Sequence, residues 1–127
     1  MIGGKKYKIM VVEDDADIVE VYKLLLKNSF EIVVAKNGKE AVEIYELVKP
    51  DLIIMDIEMP VMNGIEATRK ILEKDPNAVV IGVTVSSRSN IKKLIETGAK
   101  EVLEKPFKKS SFIETIRRYL RVENFKV

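Results

Sequence analysis

Two kinds of pattern alternate along the chain. Short runs of apolar, often β-branched residues are separated by stretches in which apolar positions recur every three or four residues. The first kind reads as strand, the second as amphipathic helix. "YKIMVV" (7–12) predicts a first strand. From Asp15, a natural N-cap, Ile18, Tyr22, Leu25 and Leu26 recur at helical spacing. "EIVVA" (31–35) predicts a second strand. Asn37-Gly38 turns the chain into "KEAVEIYELV", helical by pattern, and Pro50 marks its stop. "LIIM" (52–55) predicts the third strand, with no polar face at all. Gly64 to Lys74 predicts a helix with Ile65, Thr68, Ile71 and Leu72 inward, closed by "DPN" (75–77). "AVVIGVT" (78–84) predicts the fourth strand, "SNIKKLIETG" (89–98) a short helix stopped by Gly98, and "KEVLE" (100–104) a short fifth strand. The last helix is expected from near Ser110 or Ser111 to about Val122.

Strand–helix alternation at this spacing implies an α/β fold with right-handed crossovers and a parallel sheet covered on both faces. The continuously apolar third and fourth strands agree, because a strand buried on both faces has no reason to alternate. The length of 127 residues fits one domain and leaves no room for two. In a doubly wound sheet ligands sit at the carboxyl ends of the strands, where the strand order reverses. The first strand ends in Glu13, Asp14 and Asp15, and the third in Asp56. The fourth ends in Thr84, followed by Val85, Ser86 and Ser87, and the fifth in Lys105-Pro106. With five strands in the order 2-1-3-4-5, acids meet at the centre with a hydroxyl and an ammonium beside them. A lone Asp after a strand is usually a cap or turn residue, and Asp15 is expected to be one. The matching ends of four strands would need several such coincidences.

Composition narrows the chemistry. There is no cysteine, so disulfides and thiolate metal sites are excluded, and no histidine, the commonest general base and metal ligand. The candidate ligands are therefore all oxygens, which favour Mg²⁺ or Mn²⁺ over zinc, and such ions commonly share their site with phosphate. A formal net charge of +2 is too weak to argue for nucleic acid or an anionic membrane as partner. No apolar stretch approaches the roughly 18 residues that span a bilayer. The N-terminal "MIGGKKYKIM" lacks the apolar region of a signal peptide, so a cytoplasmic setting is expected.

The segments "VVEDD", "PDLIIMDIEMPVMNG", "VTVSS" and "GAKEVLEKPF" resemble the receiver domain of two-component response regulators, of the chemotaxis-receiver kind, from about Lys8 to Leu120. The resemblance implies a five-stranded, flavodoxin-like (βα)5 domain that accepts a phosphoryl group in a phosphorelay. On that resemblance Asp56 is the phosphoacceptor. Asp14 and Asp56 are implied as direct Mg²⁺ ligands with the backbone carbonyl of Glu58, and Glu13 as the companion acid, acting directly or through water. Thr84 and Lys105 are implied as the hydroxyl and ammonium that contact the phosphoryl group, and the Lys105-Pro106 bond is implied to be cis. The Glu58 side chain and Ser86 are expected to face the route of hydrolytic water and to tune phosphoryl lifetime. Receivers commonly carry Tyr or Phe where this chain has Val102, and a small residue where it has Val85. The switch is therefore expected to lack a swinging ring, with Val85 partly filling the space such a ring would take.

Phosphoryl transfer needs positioning and charge neutralisation more than covalent assistance, and an ionised Asp needs no base at pH 7. With no histidine in the chain, the donor phosphohistidine must come from a sensor histidine kinase or phosphotransfer protein. The expected protein is no enzyme beyond Mg²⁺-dependent self-phosphorylation and slow autodephosphorylation. The first turn of the last helix, "SNIKKLIETG" and "KEVLE" are expected to form the output face for a downstream protein. Past Leu120 only "RVENFKV" remains, too short for an output domain: a stand-alone receiver, or one cut from a longer protein. One rival is a phosphorylation-independent interaction module on the same fold, which would have no reason to bear the cost of clustered acids. The other is a haloacid-dehalogenase-type phosphatase. "DIEM" resembles the D-x-D motif of that family weakly, since Glu58 stands where the second Asp belongs. "IGGKK" is no phosphate-binding loop, and no G-x-G-x-x-G follows the first strand.

Overall fold

The computed structural model describes residues 6–85 and 88–121. Five strands, β1 (Lys8–Val12), β2 (Glu31–Ala35), β3 (Leu52–Asp56), β4 (Val80–Val85) and β5 (Glu101–Lys105), alternate with five helices. The helices are α1 (Ala16–Leu26), α2 (Gly38–Val48), α3 (Gly64–Lys74), α4 (Arg88–Thr97) and α5 (Lys109–Tyr119). All strand pairs are parallel, as the alternation implied, and the sheet order is β2-β1-β3-β4-β5, the doubly wound order expected.

Side-chain alternation sends each strand's residues to opposite faces of the sheet. Met10, Val12, Ile53, Met55 and Val80 join a core with Ala41, Tyr45, Ala67, Ile71 and Leu94, so α2, α3 and α4 cover that face. Ile9, Val11, Leu52, Ile54, Ile81 and Val83 join Tyr22, Leu26, Phe112 and Ile116, so α1 and α5 cover the other. Every residue of β3 is buried, while the edge strands β2 and β5 are mostly half-buried. The unbroken apolar run of "LIIM" is thus that of a central strand.

Helix starts follow local chemistry. Asp15 caps α1 by accepting from the Asp17 and Ile18 amides, Asn37 caps α2 through the Glu40 amide, and Asn63 caps α3 through the Glu66 amide. On α3, Thr68 and Ile71 are buried while Ile65 and Leu72 are half-buried against the same core. Several predicted boundaries move, most of them by a residue or two, and two starts have a visible cause. β4 starts at Val80, not Ala78, because the Ala78 amide is taken by the turn carbonyl of Asp75. α5 starts at Lys109 with Lys108 as N-cap and no side-chain cap, not at a serine. Phe107, just before the cap, stacks on Phe112 in the next turn with ring centroids 5.6 Å apart. This apolar staple sets the entry of the chain in place of a serine cap. α5 ends at Tyr119, and Val122 lies outside the described residues.

Candidate functional site

Register builds the site. Val12 of β1 pairs with Met55 of β3, so the next residues, Glu13 and Asp56, leave the sheet side by side. Asp56 pairs with Val83, and Val85 with Lys105, so Thr84 and Lys105 emerge from the next two strands at the same edge. One carboxylate oxygen each from Glu13, Asp14 and Asp56 lies within 4.8 Å of the others. Glu13 and Asp56 are buried and Asp14 is exposed, so the cluster opens to solvent on the Asp14 side. Lys105 Nζ stands 3.5 Å from Asp56 Oδ1 and 3.6 Å from Glu13 Oε1. The Lys105-Pro106 peptide is cis.

The loop from β3 into α3 is held from several sides. The Gly64 amide donates to the Ile57 carbonyl at 3.1 Å, and the Gly38 amide at the start of α2 donates to the Met62 carbonyl at 3.1 Å. A Cβ on Gly64 would stand 2.2 Å from the Asp56 carbonyl oxygen, so no other residue lets α3 start this close to the acid. The Met62 amide donates to the Pro60 carbonyl at 2.8 Å across Val61, whose φ is +71°. That three-residue turn is a strained conformation for a β-branched side chain.

Electrostatics follow from burial. Burial pushes the Asp56 carboxyl up to about 7; the Glu13 charge adds to this, Lys105 opposes it, and Glu58 adds again. Burial also raises Glu13, against the pull of the Asp15 amide and Lys105. The Asp15 amide holds Glu13 Oε2 at 3.1 Å, but Glu13 Oε1 is buried without a hydrogen-bond partner. One lysine shared between two buried carboxylates leaves negative charge uncompensated. An orphaned buried oxygen, three convergent carboxylates and an all-oxygen donor set fit a hard divalent cation.

The predicted residues therefore meet where the strand ends required, with three qualifications. Ser86 lies outside the described residues. Val102 is half-buried against the α2–α3–α4 core, facing the notch left by Gly82. Val85 is 60% exposed, so most of its side chain faces outward. Sequence reasoning also missed a contact. The buried Thr84 hydroxyl donates to Glu58 Oε1 at 2.6 Å, a pair 26 residues apart that no local pattern announces.

Residues 9–117 match the model of the response regulator receiver domain. The chemotaxis protein CheY of Thermotoga maritima is 36% identical over 114 residues, covering 87% of this chain and 95% of that protein. CheY of Halobacterium salinarum is 39% identical over 111 residues, covering 86% and 92%. Among solved structures, the receiver domain of a Pseudomonas aeruginosa sensor histidine kinase has a magnesium ion coordinated in its active-site cleft. It superposes with a TM-score of 0.83 at 25% identity, over 91% of this chain and 98% of that one. Sheet order, strand-end chemistry and sequence agree: this chain belongs to the response regulator receiver domain family and is a phosphoacceptor signalling domain rather than a catalytic enzyme.

Proposed function

We propose that Asp56 is the phosphoacceptor, and that it takes its phosphoryl group from a phosphohistidine on a sensor histidine kinase or phosphotransfer protein. The observation that carries this is Asp56 itself: a carboxylate at the end of the central buried strand, 3.5 Å from Lys105 and grouped with Glu13 and Asp14. An Asp56 carboxylate oxygen attacks phosphorus, a P–O bond forms, and the donor's P–N bond breaks with its electron pair returning to the imidazole. The product is an acyl phosphate on Asp56 and a free histidine on the partner. Lys105 sits where charge on the transferring oxygens must be offset. Thr84, at the end of the neighbouring strand, is the hydroxyl that the new phosphoryl group engages.

Glu13, Asp14 and Asp56, with the backbone carbonyl of Glu58, would hold Mg²⁺ (or Mn²⁺). The ion would supply charge neutralisation for the phosphoryl oxygens. Magnesium in the similar receiver domain of the Pseudomonas aeruginosa kinase supports that choice of ion. Glu58 and Ser86 are proposed to tune phosphoryl lifetime. Among the described residues no helix is long and apolar enough to cross a membrane, which accords with a cytoplasmic setting. The proposed output partner is a protein that docks on α4, β5 and the first turn of α5.

The test is mass spectrometry after treatment with a small phosphodonor and Mg²⁺. One added phosphoryl group on Asp56 is expected, lost in Asp56→Ala and in chelator. Labelling that survives Asp56→Ala, on Asp14 for instance, overturns the assignment.

A further inference from the structure

The Thr84 hydroxyl has one hydrogen to give, and its two acceptors are Glu58 Oε1 at 2.6 Å and the Val85 carbonyl at 3.1 Å. The shorter bond, to a carboxylate, is the stronger. Thr84 is fully buried, whereas Glu58 is exposed on the loop between β3 and α3, two residues beyond Asp56. A charged acceptor thus reaches back from a loop to a hydroxyl at a strand end, on the strand that neighbours the one carrying Asp56. Glu58 is also near enough to Asp56 to oppose the ionisation of that acid. A carboxylate oxygen held on Thr84 beside Asp56 has the charge and the acceptor character of a phosphoryl oxygen.

We propose that the Glu58 side chain is a latch: in the resting protein it occupies the Thr84 hydroxyl that a phosphoryl group on Asp56 requires, so phosphorylation proceeds by displacing it. This rests on the assignment of Asp56 as acceptor and Thr84 as its hydroxyl partner. The exchange is one acceptor for another on the same O–H, with no net loss of hydrogen bonds at Thr84. Its cost falls on the incoming group, which must expel a bound anion from a site already crowded with acids. Glu58 is thereby a positioning residue that sets the threshold for activation and holds the β4 end in its resting position.

The full chain titrated with beryllofluoride in Mg²⁺, followed by amide and fluorine NMR, tests this. Glu58→Ala is expected to bind the mimic roughly tenfold tighter than the parent, since a hydrogen bond to a charged group no longer has to be broken. Glu58→Gln, which keeps an acceptor without the charge, should fall between. Before any mimic is added, the Thr84 amide resonance of Glu58→Ala should already have moved towards its bound position. Thr84→Val separates the latch from simple repulsion: in that background Glu58→Ala should lose most of its effect. An undiminished gain there, or equal or weaker binding by Glu58→Ala in the parent background, overturns the latch. Labelling of the parent on Asp56 is run on the same samples. A parent that neither binds the mimic nor labels overturns the acceptor assignment, and the latch with it. A parent that does both while the variants stay unchanged overturns the latch alone.

Discussion

Asp56 carries the site's tension in one residue. Its carboxyl is pushed up to about 7, against an ordinary value of 3.8. Between those values the folded protein keeps a proton that the unfolded chain releases, so stability is lost as pH rises through that interval. Above it the fold carries the full cost of the buried charge. Asp56→Asn should therefore be more stable than the parent by about 1–3 kcal/mol at pH 8 in chelator, and nearly equal to it at pH 4. Urea denaturation at the two pH values measures this, and a gain that is the same at both would refute the buried charge as its cause. Saturating Mg²⁺ should narrow the gap, because binding stabilises the parent. Val61 stores a second cost. It is 81% exposed with φ +71°, so glycine there gives up little contact and removes backbone strain. Val61→Gly should stabilise the protein by about 1 kcal/mol net of the added chain entropy, and Val61→Ala should not. The two residues differ in legibility. An acid at the end of an all-apolar strand announces itself, whereas a β-branched residue in a positive-φ turn contradicts its own propensity and is visible only in the fold.

Elements were legible where one periodicity ruled and less so where tertiary contacts chose the boundary. β2 and α3 fall on the predicted residues because a turn or cap residue stands at each end: Asn37-Gly38 after the strand, and Asn63 before the helix. α5 does not, because the Phe107–Phe112 stack, and not a hydroxyl cap, sets its start. The coupling of β4 to α4 depends on such packing as well. A Cβ on Gly82 would stand 2.4 Å from Leu94 Cδ1, so the helix sits in a notch that this residue leaves open, with Val102 beside it. Val102 is stiff at χ1 and already half-buried, and cannot reproduce the large rotation of an aromatic ring. The signal is then expected to travel through displacement of Thr84 and of α4. Thr84→Ala should uncouple mimic-induced shifts in α4 while leaving Asp56 labelling largely intact, and Val102→Ala should alter those shifts little. An activated structure in which Val102 changes rotamer and becomes fully buried, or a Val102→Ala defect as large as that of Thr84→Ala, would show the ring-less switch to be wrong.

At the scale of the molecule, the site exists because a parallel sheet gathers the ends of strands that are far apart in sequence. Asp14, Asp56, Thr84 and Lys105 stand at the ends of four strands, which the run β1-β3-β4-β5 of the sheet makes neighbours. Strand–helix alternation gave the parallel sheet, and the order 2-1-3-4-5, one of the common doubly wound orders, then placed the main residues together. The Thr84–Glu58 bond could not be placed this way, since it depends on the path of one loop. The same topology sets the direction in which a local change spreads. Thr84 and Lys105 lie on the two strands at one side of the sheet, next to α4 and the entry of α5, while α2 packs on the far side of Asp56 beside β2 and α3. On the proposed roles of Thr84 and Lys105, a phosphoryl group pulling on them would act on the β4–β5 side. Amide hydrogen exchange with and without beryllofluoride is expected to change in α4, in β5 and in the first turn of α5, and to leave the middle of α2 unaltered. Ion pairs on the outer surface, such as Arg118 with Glu101 and Lys92 with Glu96, are exposed and individually weak, so they should resist this movement little. If protection changed only around α2 and β2, the output face would have to be placed on the opposite side of the sheet, and Thr84 would no longer be the residue that reads the phosphoryl group.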